Sequence, residues 1–215
     1  MRVTQSLLRN LQQRPHALAT SCGGRQRSWQ AFVERVARYA HGLTSLGLAP
    51  GDRVAILALN SDHYLETVFA VPWAGGIIVP INTRWSQPEI AYTLADAGVR
   101  ILVVDEHFVE LAQTLVAGSA IRVVQFGTTA APGCVAVESL IESLPAIDEA
   151  GRGGDDVSGI FYTGGTTGRS KGVMLTHTNH VTNSLQLAAM MRAPEGLSYL
   201  HAAPMFHIAD ALCVY

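Results

Sequence analysis

The residues best suited to chemistry lie between Tyr162 and Gly172, which read Y-T-G-G-T-T-G-R-S-K-G. Glycines allow backbone N–H groups to approach phosphate oxygens, because no Cβ stands in the way. Threonine hydroxyls add hydrogen-bond donors and can ligate Mg²⁺, and Lys171 supplies a mobile positive charge. The stretch follows a short apolar run over 157–161, and we expect it to lead into a helix. The sequence therefore predicts a loop that grips a polyphosphate.

Two alternatives compete with this prediction. The P-loop of common NTPases, G-x-x-x-x-G-K-[ST], does not fit, because Ser170 precedes Lys171 and Gly172 follows it. A flexible surface loop is the other alternative, since glycine and threonine are common in loops. The order T-G-G-T-T-G-x-x-K-G is far more specific than a glycine-rich loop in general. We therefore favour phosphate binding.

The motif resembles the phosphate loop of the adenylate-forming enzymes, [ST]-[SG]-G-[ST]-T-G-x-P-K-G, which usually follows a tyrosine. This family includes acyl-CoA synthetases, aryl-CoA ligases, adenylation domains of peptide synthetases and beetle luciferases. Ser170 stands where proline is usual, which should make the loop less rigid because proline fixes φ.

Further segments are similar to family segments, so the resemblance covers nearly the whole chain. They are P-I-N-T-R at 80–84, E-I-A-Y-T-L-A-D-A-G at 89–98, V-M-L-T-H-T-N at 173–179 and P-M-F-H at 204–207. The double glycine after Thr163 and the P-M-F-H segment favour the fatty acyl-CoA synthetase branch.

The resemblance implies a reaction in two halves. A carboxylate attacks the α-phosphorus of ATP, which releases pyrophosphate and forms an acyl-adenylate. A thiol, usually that of coenzyme A, then takes the acyl group. The implied small molecules are a carboxylic acid, ATP, Mg²⁺ and CoA as co-substrate.

The resemblance also assigns expected roles to individual residues. Lys171 is the expected catalytic residue, because it neutralises charge on the departing pyrophosphate. Thr163 is the residue expected to approach Mg²⁺. Phe206 and His207 should line the junction of the acyl tunnel and the adenylate, with core packing as the alternative for His207. The expected phosphate-binding residues are Thr163, Gly164, Gly165, Thr166, Thr167, Gly168 and Lys171.

Composition limits the other functions open to the chain. Of 215 residues, 48% are hydrophobic and only 15% are charged, and the net charge of −2 gives no electrostatic case for nucleic acid or an anionic membrane. The longest apolar run, 68–81, is interrupted by Pro72 and is too short to span a bilayer, so no integral membrane segment is predicted. Three widely spaced cysteines predict reduced thiols in the cytoplasm.

Strand-like and helix-like patterns alternate, which predicts an α/β fold with mostly parallel sheets flanked by helices. Ser28 and the S-x-x-E box at 86–89 are predicted to begin helices, and Gly98 to end one as a C-cap. Thr176 is a predicted N-cap, which makes the T-H-T-N segment at 176–179 mainly structural. The predicted helices are 4–13, 28–46, 62–74, 86–97 and 106–116, and the predicted strands are 17–21, 53–59, 77–81, 100–104 and 121–126.

We expect two lobes, a first α/β lobe over 1–150 and the start of the next over 151–215, with a hinge near 148–156. The chain stops inside an apolar run, so we expect a truncated protein that lacks the family's C-terminal domain. Its isolated fragment should be inactive, and its exposed apolar surface should favour self-association, for example as a homodimer. The alternatives to a fatty acyl-CoA synthetase are an aryl-acid or amino-acid adenylating enzyme and a non-catalytic module that binds nucleotide or a protein partner.

Overall fold

A computed structural model describes residues 1–164, 169–194, 196–211 and 213–215. Its helices are α1 (Gln5–Gln13), α2 (Trp29–Ser45), α3 (Asp62–Trp73), α4 (Gln87–Asp96), α5 (Val109–Val116), α6 (Val137–Ser143), α7 (His177–Met191) and α8 (Ile208–Ala211), with a 3-10 turn at Glu106–Phe108. Its strands are β1 (Leu18–Cys22), β2 (Arg25–Ser28), β3 (Arg53–Leu57), β4 (Ile77–Pro80), β5 (Val99–Val104), β6 (Arg122–Gln125), β7 (Cys134–Ala136), β8 (Val157–Thr163) and β9 (Lys171–Thr176).

One seven-stranded sheet organises the molecule, with the order β7-β6-β5-β3-β4-β8-β9. Every neighbouring pair in it is parallel except β8 and β9, which form an antiparallel hairpin. Strands β1 and β2 form a separate antiparallel pair. The mostly parallel sheet confirms the predicted fold class, and the carboxyl ends of its parallel strands share one edge, where α/β proteins commonly bind ligands.

Helices cover both faces of this sheet, because alternate residues of each strand point to opposite faces. On β3, Val54 and Ile56 pack into a core that includes buried residues of α2, α3 and α6. Ala55 and Leu57 pack into a second core, with buried residues of α4 and α5. The strands are therefore apolar on both faces, which is why they read as continuous hydrophobic runs in the sequence.

The structure confirms the predicted helix starts. The Ser28 side chain accepts a hydrogen bond from the Ala31 N–H, and Ser86 and Glu89 form the predicted capping box. The prediction for Gly98 was wrong by one residue. Ala97 is the C-cap of α4, and Gly98 follows it with φ at 61°, a left-handed conformation that favours glycine.

Strands β2 and β7 and helix α6 are among the elements that were not predicted. Strand β2 reads R-Q-R-S and lacks strand propensity, but pairing with β1 across the Gly23–Gly24 turn forms it. Strand β7 and helix α6 follow the loop at 127–133 and are only three and seven residues long, so their sequences carry little periodicity.

The helix expected after the phosphate loop is present, with Thr176 as its N-cap, but a strand that was not predicted lies between the loop and the helix. Strand β9 comes first, and helix α7 begins only at His177. The side chains of β9 are mostly exposed or half-buried, so its sequence shows no apolar alternation, and pairing with β8 is what makes it a strand.

The connection from α6 to β8 is held against the rest of the molecule. The Trp73 indole N–H donates to the Ile147 carbonyl at 2.9 Å, and Arg2 pairs with Glu149 at 2.7 Å. The predicted lobe boundary near residue 150 and the hinge beside it stay predictions. Across the described ranges, each helix is too short or too polar to cross a membrane.

Candidate phosphate-binding site

The candidate site lies at the end of the β8–β9 hairpin where the loop joins the two strands. Thr163 is the last residue of β8 and Lys171 the first of β9, and the two are paired in register. The end of β8 lies at the carboxyl edge of the parallel strands. Four of the predicted phosphate-binding residues lie outside the described residues, so their roles stay predictions: Gly165, Thr166, Thr167 and Gly168.

The described residues at this end are open to solvent. Thr163, Gly164 and Lys171 are exposed. A Cβ added to Gly164 would meet no atom of the described residues within 4 Å, so a ligand could approach its backbone closely. Within the described part of the chain, no carboxylate forms an ion pair with Lys171, which is the only lysine of the sequence. Its charge is therefore available to an anionic ligand.

Packing explains why the residue after Lys171 is a glycine. Gly172 pairs with Tyr162 across the hairpin. A Cβ at Gly172 would lie 2.7 Å from Ile160 Cγ2 and 3.0 Å from Tyr162 Cζ, closer than real Cβ contacts allow. The Tyr162 ring therefore lies against the Gly172 backbone, which links the tyrosine before the loop to the glycine after it.

The hairpin is attached to α4 by its tyrosine and its arginine. The Tyr162 hydroxyl donates to Asp96 Oδ2 at 2.6 Å, and partial burial together with this carboxylate raises the pKa of Tyr162. The Arg169 guanidinium lies 5.3 Å from the centre of the Tyr92 ring, within cation–π range. Sequence reasoning missed this role for α4, although Tyr92 and Asp96 are four residues apart and therefore share one helix face.

Helix α7 continues the hairpin through a capping box. Thr176 accepts from the Asn179 N–H at 3.1 Å, and Asn179 Oδ1 accepts from the Thr176 N–H at 3.0 Å. His177 is buried, and its Nδ1 accepts from the Val3 N–H at 3.2 Å. Burial lowers the pKa of His177 to about 4, so it is neutral at pH 7. These contacts confirm Thr176 as the N-cap and give this segment a structural role.

The segment carrying Phe206 and His207 is anchored separately. Asn60, which follows β3, donates through Nδ2 to the carbonyls of His201 and Ala203 at 2.9 and 2.7 Å. Its Oδ1 accepts from the Met205 N–H at 2.8 Å. This amide therefore fixes three points of the backbone just before the two predicted pocket residues.

Phe206 and His207 differ in burial. Phe206 is half-buried, whereas His207 is exposed, and its Nδ1 accepts from the Ala209 N–H at 3.2 Å. The exposure of His207 disfavours the alternative of core packing. Their contact with an acyl group stays a prediction.

A model of the AMP-binding enzyme family matches residues 7–215. The chain belongs to this family. Among curated relatives, it is 38% identical over 202 residues to the feruloyl-CoA synthase of Amycolatopsis sp, covering 94% of this chain and 39% of the relative. It is 35% identical over 176 residues to the long-chain-fatty-acid–CoA ligase FadD13 of Mycobacterium tuberculosis (strain ATCC 25618 / H37Rv), covering 80% of this chain and 34% of the relative.

A solved structure of ATP-bound MatB from Rhodopseudomonas palustris superimposes on this AMP-binding chain with a TM-score of 0.83 at 31% identity. The match covers 100% of this chain and 44% of that one. The chain thus spans less than half the length of each of these three proteins. The two curated relatives are CoA ligases whose names carry different acids, feruloyl and long-chain fatty.

Proposed function

We propose that this AMP-binding chain contains the phosphate-binding region of an ATP-dependent acid–CoA ligase. The observation that carries the proposal is the pairing of Thr163 with Lys171 at an exposed hairpin end. One side of the hairpin offers a hydroxyl and the other a positive charge, and no carboxylate of the described residues neutralises that charge. CoA-ligase relatives and an ATP-bound neighbour support the same function.

The chemistry asks this region for position and charge more than for covalent help. The acid's carboxylate oxygen attacks the α-phosphorus of ATP, and the bond to the bridging oxygen breaks to release pyrophosphate. Backbone N–H groups of Gly164, Gly165 and Gly168 hold the outer phosphates in this proposal, together with the hydroxyls of Thr163, Thr166 and Thr167. Lys171 neutralises the charge that accumulates on the leaving pyrophosphate, a contribution of about 3 kcal/mol for one such group.

Mg²⁺ fits this site as a companion of the phosphates. The described residues hold no group of three or more His, Cys, Asp or Glu side chains that could bind a metal. Mg²⁺ commonly takes most of its ligands from water and substrate phosphates, with one or two protein oxygens. We propose the Thr163 hydroxyl as one such oxygen, where the ion would offset phosphate charge. CoA as the thiol acceptor is proposed from the relatives alone.

The finer proposal is that the acid is a fatty acid, as the double glycine and the P-M-F-H segment favour. An aromatic acid is the second candidate, because a feruloyl-CoA synthase is among the chain's relatives. Phe206 and His207 are the proposed pocket residues in either case. A cytoplasmic location, self-association as a homodimer and inactivity of residues 1–215 alone belong to the same proposal.

The test is acid-dependent exchange of labelled pyrophosphate into ATP by the full-length gene product, with fatty, aryl and amino acids compared. Lys171→Ala should lower the exchange rate by about a hundredfold or more, and Lys171→Arg should recover part of it because the charge remains. Arg122→Ala is the matched control, since this exposed arginine begins β6, four strands away from the hairpin strand β8 in the sheet.

The outcomes separate the candidates. Exchange with a fatty acid supports the fatty acyl branch, and exchange with an aryl acid alone supports the second candidate. No exchange with any acid, from a folded protein, would favour the non-catalytic module. Acyl-AMP formation by residues 1–215 alone would refute the inactivity of the fragment.

A further inference from the structure

We infer that Asp96, with Tyr92, is a positioning residue that holds the β8–β9 hairpin in its ATP-binding geometry. The inference rests on the proposed function and adds to it a role for helix α4. Neither side chain belongs to the glycine-rich motif. Both act through residues of the hairpin, on either side of residues 165–168.

The first contact lies just before the loop. Tyr162 is the residue before Thr163, and its hydroxyl donates to Asp96 at 2.6 Å across 66 positions of sequence. A bond to a charged acceptor is stronger than a neutral hydrogen bond. Because Tyr162 also lies against Gly172, this bond fixes both strands of the hairpin where they carry Thr163 and Lys171.

The second contact lies just after the loop. The Arg169 guanidinium lies over the Tyr92 ring, and the Tyr92 hydroxyl donates to the other oxygen of Asp96 at 3.3 Å. The same helix face therefore contacts the chain on both sides of residues 165–168. This arrangement sets the separation of the two described ends of the loop.

Helix α4 is a firm support for such contacts. Ile90 and Leu94 are buried in the core on this face of the sheet, and the capping box fixes the start of the helix. Asp96 and Tyr92 lie on the outer side, where they reach the hairpin. A substitution at Asp96 therefore removes a contact to the hairpin without opening a cavity in the core.

A positioning role predicts a specific kinetic pattern in the pyrophosphate-exchange assay. Asp96→Ala and Tyr162→Phe should each raise the KM for ATP about tenfold, the loss expected for one hydrogen bond to a charged group. The KM for the acid should stay within about twofold, a difference below 0.5 kcal/mol. The double variant should be no worse than Asp96→Ala alone, since that substitution already removes the bond to Tyr162. Asp96→Asn keeps an acceptor oxygen and should restore most of the ATP affinity.

Glu34→Ala is the matched control, because it removes an exposed helical carboxylate that pairs only with Arg38 among the described residues. Thermal unfolding of every variant identifies any that are simply unfolded. If the wild type catalyses exchange and Asp96→Ala and Tyr162→Phe keep a normal KM for ATP, the positioning role is wrong and the proposed function stands. If the wild type catalyses no exchange, both are wrong.

Discussion

Two regions of the molecule differ in whether their positively charged side chains are paired with carboxylates. The first is a charged cluster formed by β2, α2, α3 and α6, whose members are Arg25, Arg27, Arg35, Asp62, His63, Glu66 and Glu138. The second is the end of the β8–β9 hairpin, with Lys171. Every arginine of the charged cluster is paired with a carboxylate, whereas Lys171 has no such partner within the described residues.

Pairing in the charged cluster is dense and largely shielded from water. Arg35 forms ion pairs with both Glu66 and Glu138 at 2.6 Å, and Arg25 binds both oxygens of Asp62. Burial acts to raise the pKa of Asp62, but the hydrogen bond from Arg25 and the neighbouring positive charges outweigh it and lower the pKa to about 2. Asp62 therefore stays ionised far below neutral pH.

At the hairpin end and in the adjoining helix α7, Lys171 and His180 form no ion pair with a carboxylate of the described residues. Lys171 faces solvent. His180 is 1% exposed, and neither of its ring nitrogens has a hydrogen-bond partner among the residues that the structure describes. Burial lowers the pKa of His180 to about 4. Burial keeps His177 and His180 of α7 neutral, and Lys171 has no carboxylate partner among the described residues. The ion pairs of the charged cluster therefore stabilise the fold, whereas the charge of Lys171 is available to the ligand that we propose.

The largest expected effect comes from breaking the charged cluster. Arg35→Ala removes the closest partner of Glu66, which is fully buried, and leaves it with Arg27 and His63. The free energy of unfolding should therefore fall by about 3 kcal/mol, the lower end of the range for a broken buried ion pair. Urea unfolding at pH 7 measures it. Arg38→Ala on the same helix is the control, because its exposed pair with Glu34 should contribute less than about 1 kcal/mol. Equal losses in the two variants would show that the charged cluster does not stabilise the fold.

As the pH falls, the buried neutral histidines should lower the stability of the protein before the charged cluster does. At pH 7 His180 is uncharged in both folded and unfolded protein. As the pH falls from about 6.5 to about 4, the unfolded state binds a proton that the folded state does not, so stability falls. The loss is roughly 2–3 kcal/mol for one histidine.

His180→Phe tests this prediction. The His180 ring lies between those of Phe161 and Tyr215, at 5.6 and 4.9 Å, so an aromatic replacement keeps the packing. The variant should lose less stability than the wild type between pH 6.5 and 4 in urea titrations. Parallel pH profiles for the two proteins would contradict a buried neutral His180.

The smallest expected effects come from replacing two glycines of the motif, Gly172 and Gly164, by alanine. Gly172→Ala places a Cβ against Ile160 and Tyr162 and should destabilise the protein by about 1–3 kcal/mol. Gly164→Ala brings its methyl group within 4 Å of no atom in the described part of the chain and should leave unfolding unchanged, but it should raise the KM for ATP because the methyl group obstructs the approach of a phosphate. Urea unfolding and exchange kinetics measure the pair. An unchanged KM for ATP in Gly164→Ala would show that the backbone of Gly164 does not bind a phosphate.

Sequence alone predicts the fold class and most of the elements, which the structure confirms, and it proposes Thr163 and Lys171 for the candidate site. Thr163 and Lys171 were predicted together because their motif is local, and the box at 86–89 because capping depends on residues three apart. Strand β9 could not be predicted, since its pairing partner rather than its own composition makes it a strand. Asp96 was missed for a related reason, because its bond to Tyr162 spans 66 positions and depends on how α4 packs on the sheet.

The central claim is that Lys171 contacts the outer phosphates of ATP. Because it is the only lysine of these 215 residues, acylation by an amine-reactive reagent can be followed on one peptide by mass spectrometry. In the full-length gene product, Mg·ATP and pyrophosphate should each slow the labelling of Lys171, whereas AMP, which lacks the outer phosphates, should protect it little. Labelling of Lys171 at an unchanged rate under saturating Mg·ATP would contradict the account.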